Sequence, residues 1–102
     1  MNRLYVIVRT DLPCSHPAVQ AGHVVAEFYK DYPGFSQLWN NQTLIYLMVN
    51  TKRKLYNLMH KMDRNGIIYT YFKEPDIDDE ITAIAVWMNE ESTFFDKYKL
   101  YV

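Results

Sequence analysis

Apolar residues fall along the chain in separate blocks, and their spacing alternates between strand-like and helix-like. Residues 3–10 (RLYVIVRT) are β-branched and aromatic, and apolar on both faces through the middle, as an interior strand covered from both sides would be. Residues 43–50 (TLIYLMVN), 67–72 (IIYTYF) and 81–88 (ITAIAVWM) read as three further strands. Between the first two the spacing turns helical: Ala18, Gly22, Val25, Ala26 and Tyr29 fall at i, i+4, i+7, i+8 and i+11. Ser15 is the predicted N-cap of this helix, Pro17 lies in its first turn and residues 31–34 end it. Gly22 in the stripe predicts a close approach to the sheet. A second helix is predicted from Thr51 as cap, through the stripe Leu55, Leu58, Met59 and Met62, to the Asn65-Gly66 stop. Residues 35–42 (FSQLWNNQ) predict a short helix or irregular connection, and the tail 90–102 (EESTFFDKYKLYV) a further short helix.

This order predicts an α/β fold in a single domain over 1–102, with one mixed four-stranded sheet and helices on both faces. Helices between strands one, two and three make these candidates for right-handed parallel crossovers. The polar segment 73–80 is too short to hold a crossover helix and predicts an antiparallel fourth strand. Three parallel strands plus one antiparallel is the resulting expectation. There is no repeat, and 49% apolar against 23% charged residues is an ordinary globular balance.

No apolar run approaches the roughly 20 residues a membrane helix needs, and the first residues do not form a signal sequence, so a cytoplasmic protein is expected. The one cysteine, Cys14, fits a reducing compartment and cannot form an internal disulfide. Net charge is −1, which gives no global field for a polyanion. The distribution is uneven, however. Lys52, Arg53, Lys54, Lys61 and Arg64 share one segment, and Glu74, Asp76, Asp78, Asp79 and Glu80 share another.

In α/β sheets ligands gather outside the carboxyl ends of parallel strands. That edge is expected to collect Asp11, His16, Gln20, Lys52, Arg53, Lys54 and Glu74, together with the free N–H groups of two helix starts, a natural oxyanion or phosphate site. His16, Gln20 and His23 stand at i, i+4 and i+7, on one helix face offset from the apolar stripe. His16 is placed at the cleft mouth and His23 deeper, where packing is its expected role. A zinc site from Cys14, His16 and His23 matches no familiar spacing, the acidic run at 74–80 has the look of a solvated loop, and no phosphate loop or dinucleotide fingerprint is present.

Two stretches resemble a known family. "LYVIVRTDL" followed by "HPAVQAGHVVAEF" is similar to the opening of the type II peptidyl-tRNA hydrolases, a strand ending V-R-x-D-L before a helix reading K-x-A-A-Q-x-x-H-A; "YFKEPDIDDEITAIAV" resembles that family's segment with an acidic residue after strand three and a threonine in strand four. The resemblance implies a three-layer α/β/α fold and, with no cofactor and no metal, cleavage of the ester between a peptidyl group and the 3′ end of tRNA. Position by position it implies a catalytic set of His16 (where the family has lysine), Gln20, Glu74 (where it has aspartate) and Thr82. Asp11, His23, Lys52, Arg53 and Lys54 are then expected to bind substrate. The loop before the helix is about two residues shorter than usual, and "WMNEES" replaces the Gly-Pro after strand four. Chemically, Glu74 would orient or deprotonate water and His16 would donate to the oxyanion, with activity rising below about pH 6.5 if the imidazolium is the donor. The alternatives are a catalytically impaired RNA-binding or regulatory module on the same fold, and a homodimer built on the tail aromatics Phe94, Phe95, Tyr98 and Tyr101.

Overall fold

In the computed structural model, which describes residues 2–12, 16–88, 95 and 98–100, β1 (Arg3–Arg9) is the interior strand its double-sided apolar pattern predicts. It pairs in parallel with β2 (Leu44–Val49) and antiparallel with β4 (Glu80–Met88). Both of its faces are buried because both are covered. Leu4, Val6 and Val8 join one apolar cluster with Val24 and Phe28 of α1 (Pro17–Asp31), whereas Tyr5 and Ile7 join another with Leu55, Leu58 and Met62 of α3 (Lys52–Arg64). Alternating side chains point to opposite sides of a strand, so the two clusters lie on the two faces of the sheet. Each fully buried residue of this size contributes roughly 1.5–3 kcal/mol.

The sheet order is β3-β4-β1-β2-β5, where β3 is Tyr69–Glu74 and β5 is the two-residue strand Lys99–Leu100. Among the described residues one parallel pair is formed, β1 with β2; β3 forms an antiparallel hairpin with β4 and does not reach β1, so it adds no second parallel pair to the three parallel strands expected. The short connection predicted the hairpin. It did not predict that β4 would insert beside β1 and push β3 to the edge. Two antiparallel steps still leave the end of β3 at the same side of the sheet as the ends of β1 and β2. A fifth strand was not anticipated; of the tail, only Phe95 and 98–100 are described, and Phe94 and Tyr101 lie outside the described residues.

Local chemistry sets the helix ends. Thr51 caps α3 as expected, its hydroxyl accepting from the Lys54 N–H at 3.1 Å. For α1 the cap position is His16, not Ser15, which lies outside the described residues; His16 makes no side-chain cap bond, and Pro17 opens the helix. The buried residues of α1 are Gln20, Val24 and Phe28, so its stripe is displaced from the predicted one. Ala18, Gly22, Ala26 and Tyr29 face outward, and a Cβ at Gly22 would meet nothing within 4 Å, so that glycine permits no close approach. Large apolar groups recruited the sheet contact in preference to the small ones. A four-residue α2 (Phe35–Leu38) occupies the uncertain segment between α1 and β2.

Candidate active site

A polar residue, Gln20, interrupts the buried stripe of α1, and an amide in such a place must find partners. It finds two. Its Nε2 donates to Glu74 Oε1 at 2.9 Å, and its Oε1 accepts from the Thr82 hydroxyl at 2.7 Å. The amide is thus fixed at both ends, and residues from α1, the end of β3 and β4 form one chain of hydrogen bonds.

A β-bulge aims Thr82 at this amide. Phe72 is the register partner of Ala83 and Lys73 that of Ile81, which leaves Thr82 with no residue opposite. Ala83 packs into the α1 cluster, as its neighbour Thr82 reaches Gln20 of α1, while Ile81 and Ile84 on either side belong to the α3 cluster. Two consecutive side chains therefore face the same helix. A regular strand would have turned Thr82 to the other face.

Glu74 ends β3 at partial exposure and caps the following 3₁₀ turn (Pro75–Ile77) by accepting from the Asp76 N–H. Its carboxyl is held below its ordinary value, first by the Gln20 amide, which outweighs the opposing effect of desolvation, and then by the Asp76 N–H and electrostatically by His23. The result is a partly exposed carboxylate whose ionised form is favoured. His16 lies one turn toward the helix start, its carbonyl accepting from the Gln20 N–H at 3.0 Å, with an exposed side chain. His23 is exposed too, on the next turn, and its imidazole stacks on Phe72 with ring centroids 4.5 Å apart and planes 4° from parallel. The expectation that His16, Gln20 and His23 share a face offset from the apolar stripe is corrected: Gln20 belongs to the buried stripe, and the two histidines before and after it are exposed.

A second cluster sits at the strand exits. Arg9, only 3% exposed, forks onto Asp11 through Nε to Oδ1 at 3.0 Å and Nη2 to Oδ2 at 2.8 Å. Its Nη1 donates to Glu80 Oε1 at 2.8 Å and to the Ile81 carbonyl at 3.1 Å, and Glu80 also takes Lys52 at 3.3 Å. Asp11 is held below the usual carboxylate range chiefly by Arg9, Glu80 by Arg9 and then Lys52, and the guanidinium is raised by Asp11 in return. This cluster meets the first at the 3₁₀ turn, where Glu74 and Glu80 are register partners. Arg9 and Glu80 were not among the expected site residues. The one cation inside the apolar run VIVR was the signal for Arg9, since a buried guanidinium must be paired. Reading 74–80 as a solvated loop hid Glu80.

The basic cluster divides. Lys52 leans on Glu80, Lys54 donates to Asn50 Oδ1 at 2.9 Å, and Arg53 is exposed with no hydrogen bond or ion pair among the described residues. Beside Lys54, a cleft of about 560 Å³ at the exits of β1 and β2 is lined by Thr10, Asn50, Asn57 and Tyr98. Another of about 610 Å³ lies at the far end of α1, near Asp31, Asp63 and Tyr69; neither is lined by Gln20, Glu74 or Thr82. Among the described residues no three His, Cys, Asp or Glu side chains group as metal ligands would, and no helix is long and apolar enough to cross a membrane. Cys14 lies outside the described residues.

Of the tail aromatics, Phe95 is buried and stacks on Tyr5 at 4.4 Å. Comparison with known proteins gives one family: the model described as peptidyl-tRNA hydrolase PTH2 matches residues 2–96. No curated protein matches the chain.

Proposed function

Since the chain belongs to the peptidyl-tRNA hydrolase PTH2 family, we propose that it cleaves the ester between a peptidyl, or N-blocked aminoacyl, group and the 3′ end of tRNA. The observation that carries this reading is the Thr82–Gln20–Glu74 chain, which supports one ionised carboxylate in a fixed direction at the strand-three exit. An ionised carboxylate is first an acceptor that orients a water. It becomes a proton acceptor as the water's oxygen bonds to the ester carbon and its proton turns acidic. His16 and the free N–H groups of the first turn of α1 donate to the oxyanion; the ester C–O bond then breaks, and the proton held by Glu74 passes to the departing ribose oxygen.

In this reading Glu74 and His16 touch the reacting atoms, whereas Gln20 and Thr82 are positioning residues. Arg53 and Lys54 contact phosphates, Lys52 shares its charge with Glu80, Asp11 borders the strand-one exit, and His23 contacts the RNA end. The cleft beside Lys54 has the size of a site for a nucleotide-scale group. A three-layer α/β/α arrangement is supported by the two clusters, each lined by its own helix. A cytoplasmic location and a substrate drawn from translation belong to the same proposal. A homodimer through the tail has less to build on with Phe95 spent on Tyr5.

One observation favours the second reading, an impaired RNA-binding module: His16 stands where the family carries lysine. The test is incubation of the purified chain with N-acetyl-aminoacyl-tRNA beside Glu74→Ala and His16→Lys variants. Hydrolysis lost in Glu74→Ala supports the enzyme, and a rate that His16→Lys keeps or raises supports the donor role of His16. Salt-sensitive tRNA binding without turnover in any variant supports the module.

A further inference from the structure

His23 and Phe72 form a stacked, near-parallel aromatic pair beside Glu74 that ester chemistry does not use. Phe72 lies two residues before Glu74 on β3 and on the same strand face, while His23 lies three residues after Gln20 on α1. With one face of the imidazole against Phe72, the residue is nonetheless exposed, so part of its remaining ring surface meets solvent. Val19, four residues earlier on α1, is 51% exposed and adjoins His23 on the helix surface. Exposed apolar and aromatic surface of this kind, with His23 about two turns along the helix from His16 and beside the Glu74 carboxylate, is shaped for a flat, uncharged group rather than for a phosphate.

We propose that the His23 imidazole, backed by Phe72, is a stacking platform for the purine base at the acylated end of the RNA. The assignment rests on the hydrolase reading for the identity of its ligand, and it adds what that reading lacks, a fixed point that sets the distance from the terminal base to Glu74. Every base offers a π-face, and RNA ends are read by splaying such bases onto aromatic side chains. Aliphatic cover for Phe72 would serve packing equally well; a ring 4° from parallel extends the π surface outward. Stacking of one base is worth about 5- to 150-fold in affinity.

The experiment is a titration of the full chain with AMP, and in parallel with CMP, followed by the ring-proton NMR signals of His23 and Phe72. The proposal expects upfield ring-current shifts with AMP, weaker ones with CMP, and binding that His23→Phe retains within about threefold while His23→Leu weakens it by about 5- to 150-fold. Rings unmoved at saturating AMP, or His23→Leu binding as well as the native chain, overturns it. On N-acetyl-aminoacyl-tRNA the His23→Leu loss falls on KM, and an unchanged KM counts against the platform. If AMP binds as expected but nothing is hydrolysed, the platform stands and the hydrolase reading fails.

Discussion

Gln20 on α1 and Thr82 on β4 share a hydrogen bond of 2.7 Å in a place where neither meets solvent, at 3% and 0% exposure. A buried donor and acceptor so paired have no water to fall back on. Thr82→Val keeps the shape and removes the donor, leaving Gln20 Oε1 unsatisfied at a cost of about 1–3 kcal/mol. Urea unfolding reads the loss as a lower midpoint with an unchanged m-value. Hydrolysis in this variant should fall further than the stability loss alone explains, because the amide that orients Glu74 is free to rotate.

The second consequence concerns pH. Gln20 is the largest cause of the lowered Glu74 pKa, so removing its amide lets that pKa rise toward the ordinary carboxylate value of about 4.3. If ionised Glu74 is required for turnover, the acid limb of the rate profile in Gln20→Met should move to higher pH relative to the native chain. A limb that stays in place, measured on single-turnover hydrolysis, separates Glu74 from the rate.

Arg9 makes a third case, this one of stability. Removing one partner from a buried ionic network costs about 3–5 kcal/mol when all partners are buried, and about 2–4 is expected for Arg9→Met because Asp11 and Glu80 are 29% and 31% exposed. Asp11 and Glu80 both carry lowered pKa values, so their stabilisation is present above the unfolded carboxylate range near pH 4 and is lost as pH falls through the folded values. Thermal unfolding followed from pH 7 to pH 3 should show a steep acid limb in the native chain and a shallower one in Arg9→Met.

Among the three cations at the start of α3, Arg53 alone has no protein partner in the described residues, so it is the one free to meet a phosphate. For tRNA binding, Arg53→Ala should lower the slope of log K against log salt by about one phosphate contact. Lys52→Ala should change it less, since Lys52 already neutralises Glu80. Filter binding across a salt series distinguishes the two.

Much of this was legible in the residues. The double-sided apolar run of β1, the Thr51 cap and the Leu55–Leu58–Met62 stripe each follow from a local rule that the packed fold does not override. Gln20, Glu74 and Thr82 were linked by resemblance alone; no spacing rule relates residues so far apart in the chain. What stayed hidden depended on three-dimensional partners. The stripe of α1 was assigned to small residues because a glutamine reads as polar, and only the carboxylate and hydroxyl waiting beneath make its burial affordable. The placement of β4 beside β1 is likewise a choice among sheet orders, all compatible with one hairpin.

The bulge at Thr82 turns sheet geometry into a matter of parity. Delete or add a single residue at the bulge beside Thr82, and the side chains on one side of the change would swap faces, taking the hydroxyl away from the amide. Drift in the identity of the neighbouring residues can be absorbed so long as their number is kept, which makes length, ahead of composition, the constrained quantity where β4 passes Thr82.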